Sequence, residues 1–298
     1  MIRVLALLAA VLAAAVAVQG SQATFTASAQ NAGAFTTAAD FQPAVTLTAP
    51  AAGTATSSKT PTLSGAAGNS TGDSTTVTVK IYSGASTAGT LKQTLTPTRT
   101  AATWTTTAAT LADGTYTAQA TQTDTGGNTG TSAANTFTVD ATKPTATTVV
   151  AANKTGGTAG KLESGDIVTF TYSEPITADS VWSGWNGTST TVHLSFTTAS
   201  NKASFTVLDT ADAATIKLGS VATNGNYISA ATNFNATMVR SADGASVLVT
   251  LGTPTNVQAT AVTAKNMKWT VGAGIKDLVG NTIATPASFT ETVSTVDF

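Results

Sequence analysis

The chain contains no cysteine and one histidine, and charged side chains make up only 10% of its 298 residues. Without cysteine there is no disulfide framework, no thiolate zinc site and no thiol nucleophile. One imidazole, His193, cannot build a multi-histidine metal centre. Lys and Arg number 14 against 15 Asp and Glu, a net charge of −1. That balance excludes the basic footprint of a nucleic-acid or anionic-membrane binder, and the same scarcity of acids excludes a halophile-type shell. No partner set for a nucleophilic serine is present, nor any phosphate-cradling Gly-x-x-x-x-Gly-Lys-Ser/Thr. What is abundant is threonine, roughly a fifth of the chain and far above ordinary usage.

The first twenty residues are a separate object. Arg3 precedes an unbroken apolar run from Val4 to Val18, and the small residues Gly20, Ser21 and Ala23 follow. This is the order of a secretory signal, with cleavage expected near residues 20–23. A membrane helix needs about 20 apolar residues, and this run has about 15. The mature chain is therefore expected to span no membrane and to lie outside the cell or at its surface.

From about Ala44 the pattern becomes period-2 alternation broken by Gly, Asn, Asp and Pro. Threonine is β-branched and polar, so it suits the solvent face of a pleated strand. Val77, Val79 and Ile81 fall on one face of a run whose other face is polar, which is the pattern of a half-buried antiparallel strand. Strands are predicted over 45–48, 60–65, 75–82, 90–95, 102–106, 114–123 and 135–139. Seven short strands separated by turn residues predict a sandwich. Residues 141–145 read as a linker containing Pro144. A second alternating system follows over 146–298, with strands predicted at 166–172, 192–196, 203–208, 246–251, 268–271 and 288–293. The best helix candidate is the Ala-rich stretch near Asp209–Thr215, at most two turns long.

Both halves end alike. Asp124-Thr125-Gly126-Gly127-Asn128 precedes a strand containing Phe137, and Asp277-Leu278-Val279-Gly280-Asn281 precedes one containing Phe289. Gly-Asn can supply positive φ, and the aspartate can accept from nearby backbone. Two copies suggest a duplicated architecture.

These residues carry three resemblances. The segment after the apolar run, with Ala23, Phe25, Thr26, Asn31, Phe35, Thr36 and Ala38, resembles the export segment of camelysin and TasA-type secreted proteins. Residues 44–140, with Leu111-Ala112-Asp113-Gly114-Thr115-Tyr116, Asp124 and Gly127-Asn128, resemble adhesin-type bacterial Ig-like repeats. Tyr116 stands where such domains place a tyrosine corner. Residues 146–298, with Asp166 to Tyr172, Glu174-Pro175 and the loop from Asp277 to Asn281, resemble S-layer-type Ig-like domains. The resemblances imply an all-β chain of two tandem Ig-like β-sandwich domains. The second is enlarged, about 155 residues against about 100 for an Ig sandwich, with the excess between Ala199 and Asp243. Neither family has a shared catalytic centre.

Candidate sites follow. Adhesin-like arrays often stiffen junctions with calcium, which takes oxygen ligands. Asp113, Asp124 and Asp140 are the candidate ligands, with Asp277 and Asn281 as a second copy; the alternative is simple Asx-turn chemistry. Trp182-Ser183-Gly184-Trp185-Asn186 is the most unusual local sequence, a pair of tryptophans in a chain with 6% aromatics. Trp182, Trp185 and Asn186 either bind a sugar or partner, or the tryptophans plug the end of the domain. The acids Glu163, Asp166, Glu174 and Asp179 cluster in sequence but match turn positions, so no glycosidase pair is expected. His193 should face solvent, opposite Val192, Leu194 and Phe196. No cofactor is expected beyond calcium. The expected role is a non-catalytic structural or adhesive protein of the bacterial surface or extracellular matrix, acting on surface proteins, matrix proteins or polysaccharide. A carbohydrate-binding module and a matrix-fibre subunit are the alternatives.

Overall fold

The structure is a computed structural model that describes residues 42–200, 202–254, 265–284, 288–291 and 298. The predicted signal peptide and the segment that resembles an export segment lie outside the described residues. So do the last positions of the strand predicted at 288–293. The chain divides into two compact units, Met1–Ala141 and Thr142–Phe298. No helix among the described residues is long and apolar enough to cross a membrane.

The first unit contains β1 (Ala55–Thr56), β2 (Thr62–Ala66), β3 (Thr78–Ser83), β4 (Leu91–Leu95), β5 (Thr103–Thr107), β6 (Gly114–Thr123), β7 (Thr129–Thr131) and β8 (Asn135–Val139). One sheet runs β1-β8-β6-β3-β4, with β7 beside β6; the other is β2-β5. The segment predicted as a strand at 45–48 completes the smaller sheet irregularly. The N–H groups of Thr46 and Thr48 donate to Ala66 O and Ser64 O, and Ser64 N returns a bond to Ala49 O. Gly65 has to be glycine, because a Cβ there would collide with the Thr46 carbonyl. The two sheets enclose one core that includes Leu63, Val77, Val79, Ile81, Trp104 and Phe137. Alternate valines and isoleucines face inward and threonines outward, as the sequence pattern requires.

The second unit contains β9 (Ala146–Ala152), β10 (Ile167–Tyr172), α1 (Ala178–Val181), β11 (Thr190–Ala199), β12 (Lys202–Leu208), β13 (Thr215–Ala222), β14 (Thr232–Arg240), β15 (Ser246–Pro254), β16 (Lys268–Thr270) and β17 (Ser288–Thr290). These strands do not pair as two stacked sheets. They form one nine-stranded sheet in the order β17-β16-β13-β12-β11-β14-β15-β10-β9, antiparallel throughout. Its two end strands, β17 and β9, lie against each other, so the sheet curls round its own core. The second unit is thus an all-β near-barrel, consistent with an enlarged Ig-like domain, in which the expected two separate sheets are one continuous sheet. The physical reason lies at 199–243: the excess there is three consecutive long strands, β12, β13 and β14, which widen one sheet until its ends meet.

The core is aromatic. Trp269 meets Phe170 and Tyr172 edge-on at centroid distances of 5.2 and 5.3 Å, and Phe196 contacts Phe205, Phe234 and Phe298. The predicted helix near Asp209–Thr215 is instead a tight turn. Asp209 N donates to Ala214 O, and Asp209 Oδ1 accepts from the N–H groups of Ala213 and Ala214. Alanine favours a helix, but these aspartate bonds and the positive φ of Asp212 compete successfully with so short a segment.

Candidate functional site

The aspartates named as calcium ligands are placed by β6 and β8. Gly114 pairs with Val139, so Asp113 and Asp140 lie at one end of the larger sheet of the first unit. Asp113 Oδ1 accepts from Ala141 N at 3.0 Å, and Asp140 N donates to Thr56 O. Asp124 follows the other end of β6, about 30 Å away at the rise of a strand. The three carboxylates therefore do not converge on one point.

Asp124 serves its own loop. Its Oδ1 accepts from Asn128 N at 2.8 Å and its Oδ2 from Asn128 Nδ2 at 2.8 Å, while Asp124 N donates to Asn128 O. The Asn128 side-chain amide, with backbone N–H groups of the loop, holds the Asp124 carboxyl below its ordinary pKa. Asp277 repeats the arrangement with Asn281: N–H to Oδ1 at 2.8 Å, side-chain amide to Oδ2 at 2.7 Å, and Asp277 N to Asn281 O. Val279 N and Gly280 N also donate to Asp277 Oδ1. Both loops are Asx turns in which the aspartate replaces missing backbone acceptors.

Tyr116 donates its hydroxyl to Ala112 O, four residues upstream, at 2.9 Å, which is the bond of a tyrosine corner. Glu174 and Pro175 sit just after β10. Glu174 is half-buried, and Pro175 is exposed and packs beside Gly244. The remaining acids of that sequence cluster are also tied to local backbone. Asp166, fully buried, accepts from Lys154 N and Glu163 N, and Glu163 accepts from Thr158 N. Burial raises the Asp166 pKa above its usual value.

His193 lies on the outer face of β11 and bonds through Nδ1 to Asp212 Oδ1 at 2.7 Å, with Asn233 donating to the other oxygen. Its neighbours Val192, Leu194 and Phe196 are fully buried. No Gly-x-Ser-x-Gly elbow is expected from the sequence; the one such spacing, Gly68-Asn69-Ser70-Thr71-Gly72, lies in a loop between β2 and β3. A nucleophile elbow needs a strand–turn–helix, which this loop lacks.

The tryptophan pair lines a groove of the second unit. The single turn α1 is pinned by Lys276, whose carbonyl accepts from Thr177 N and whose N–H donates to Ser180 Oγ. Trp182 N and Trp185 N then close successive turns onto Ala178 O and Trp182 O. Gly184 has φ +81° and donates to Asp179 Oδ1 at 2.7 Å. Trp185 turns inward, 6% exposed, and its indole N–H donates to Thr188 O at 2.7 Å. Asn186 is exposed, and its Oδ1 accepts from both Thr188 N and Thr188 Oγ1. Trp182 is partly buried against the core and lines a groove of about 320 Å³ with Ser183, Gly184, Asn186 and Thr188. A larger hollow of about 490 Å³ in the first unit is lined by Thr46, Ser64, Thr103, Trp104 and Thr105. There the Trp104 indole N–H is already taken by the carbonyls of Thr46 and Ala66.

Residues 46–141 match the bacterial Ig-like domain family Big_13, so the first unit carries a bacterial Ig-like domain. No curated protein matches the chain. Among solved structures, the fibronectin(III)-like modules of CbhA from Clostridium thermocellum align with 73% of this chain and 93% of theirs. The identity is 15% and the TM-score 0.25. Dimeric latent PorU from Porphyromonas gingivalis aligns with 74% of this chain and 20% of its own, at 14% identity and TM-score 0.23. At these scores the superpositions add nothing to the strand pairing already described.

Proposed function

We propose that the chain is an exported structural and adhesive protein of the bacterial surface or extracellular matrix. Its β-units act as stiff modules that present loops and sheet edges to surface proteins, matrix proteins or polysaccharide. The observation that carries this reading is the bacterial Ig-like domain at 46–141. The adhesin-type, S-layer-type and camelysin/TasA-type resemblances belong to the same reading, as does cleavage of the signal near residues 20–23. Calcium at Asp113 and Asp140 would stiffen the end of the first unit at which both acids stand. The test is fractionation of the producing culture into medium, wall and membrane, with mass spectrometry of the new N-terminus. Recovery in medium or wall with an N-terminus at 20–24 is expected; a chain still beginning at Met1 in the cytoplasm would overturn the reading.

Two finer readings each have an observation in their favour. The Trp182 groove favours a carbohydrate-binding role. The strands β4 and β5 each pair on one side only among the described residues, which favours assembly into a matrix fibre by strand addition. Concentration-dependent filaments in electron micrographs are the expected result of the fibre reading.

A further inference from the structure

The four tryptophans differ in one respect. The indole N–H groups of Trp104, Trp185 and Trp269 all donate to backbone carbonyls. No described residue accepts from the indole N–H of Trp182. This is the tryptophan that lines the groove, and it is only partly buried. This indole N–H is not among the buried polar atoms that lack a partner, so it faces solvent and can give its bond to a ligand acceptor in place of water.

The rest of the lining states what that acceptor belongs to. Ser183, Gly184, Asn186, Thr188, Ser189 and Thr190 supply hydroxyls, amides and backbone, and none of the lining residues is charged. A carboxylate, sulfate or phosphate placed there would lose hydration with no cation to compensate it. A flat apolar ring face edged with neutral hydrogen-bonding groups instead matches a pyranose, which has one C–H face and a rim of hydroxyls. The volume, about 320 Å³, lies at the small end of ligand pockets and suits one or two sugar rings. The loop is also preorganised: Gly184 N–H donates to Asp179 Oδ1, the Trp185 indole donates to Thr188 O, and Asn186 Oδ1 accepts from Thr188 N.

We infer that this groove binds an uncharged sugar of a polysaccharide, with Trp182 as the stacking face and indole donor and Asn186 as a rim contact. Trp185 holds the loop from beneath and does not touch the ligand. The inference rests on the carbohydrate-binding reading and sharpens it to one residue and one ligand class.

The experiment is native electrophoresis of the full chain through gels containing laminarin, galactomannan or dextran, with polygalacturonate in parallel. Retardation by at least one neutral polysaccharide is expected. Trp182→Ala should weaken it at least tenfold with the melting temperature unchanged. Trp182→Phe, which keeps a ring and loses the donor, should fall between, and it decides the case if the alanine variant fails to fold. Asn186→Ala should weaken retardation several-fold. Neutral binding that ignores both Trp182 variants would overturn this site while leaving a sugar-binding role elsewhere. Trp182-dependent retardation by polygalacturonate alone would overturn the ligand class. No retardation in any gel would overturn the carbohydrate-binding reading itself, leaving the structural role to the fractionation test.

Discussion

In the first unit Asp124 receives two hydrogen bonds from Asn128; in the second, Asp277 receives the same two from Asn281 and two more from Val279 and Gly280. Each loop feeds the last segment of its unit, yet the units close differently. The first stacks a small sheet on a larger one. The second curls nine strands until β17 meets β9. The loop is thus a local solution to ending a strand, independent of how the sheet above it is closed. Repetition of the loop reports a common local need, and strand number decides the global closure.

The strongest way to break this comparison is to empty each core. Trp104 fills the space beneath Gly65 in the first unit, and Trp269 sits between Phe170 and Tyr172 in the second. Each Trp→Ala change should cost about 3–5 kcal/mol in denaturant unfolding. A loss below about 1 kcal/mol at Trp269 would mean that the curled sheet does not depend on its aromatic centre.

The loops come next. Asp277, 2% exposed, is the acceptor for four donors of its loop, and Asp277→Ala should cost about 2–3 kcal/mol. Asp124→Ala removes the two bonds from Asn128 and the weaker contacts of the Gly126 and Gly127 N–H groups, and should cost less. Finding the opposite order by equilibrium unfolding would show that the extra donors to Asp277 add nothing.

A tyrosine in each unit sharpens the contrast at smaller scale. Tyr116→Phe deletes the bond to Ala112 O and should destabilise by about 1 kcal/mol. The Tyr172 hydroxyl is buried with no hydrogen-bond partner among the described residues, and burial pushes its pKa well up. Tyr172→Phe removes an unpaired polar group and should therefore be neutral or stabilising by about 1 kcal/mol. Equal losses from both substitutions would contradict the difference between the two hydroxyls.

How much of this was legible follows from the range of the interactions involved. The predicted strands at 114–123 and 135–139 coincide with β6 and β8, because alternation is local and strong there. The strands β9, β13 and β14 were missed. Ala-rich β9 has weak alternation, and β13 is interrupted by Gly219, whose φ is +85°. The number of sheets was not legible, since it depends on pairing such as β11 with both β12 and β14. At the candidate site the tryptophans stood out in the sequence as a pair, but their roles did not separate there. Only the inward turn of Trp185 and its bond to Thr188 O distinguish it from Trp182. The single turn α1 carries no periodic signal and is held by Lys276, about a hundred residues away.

The smallest effect concerns acid. Hydrogen bonds hold the folded Asp124 carboxyl below its ordinary value near 3.8, so the unfolded chain takes up that proton first. Its contribution to stability is complete above pH 3.8 and is lost as pH falls through the lower, folded pKa. Asp166 has the opposite sign: burial raises its folded pKa above 3.8, so the folded chain takes up the proton first. Acidification through that raised pKa therefore relieves a penalty, and the gain is complete below pH 3.8. The stability difference between wild type and Asp124→Ala should shrink on acidification, whereas that between wild type and Asp166→Ala should grow. Measured between pH 6 and pH 3, the two difference curves slope in opposite directions. Parallel slopes would show that the hydrogen-bonded Asp124 and the fully buried Asp166 respond to acid in the same way, and the contrast between them would fail.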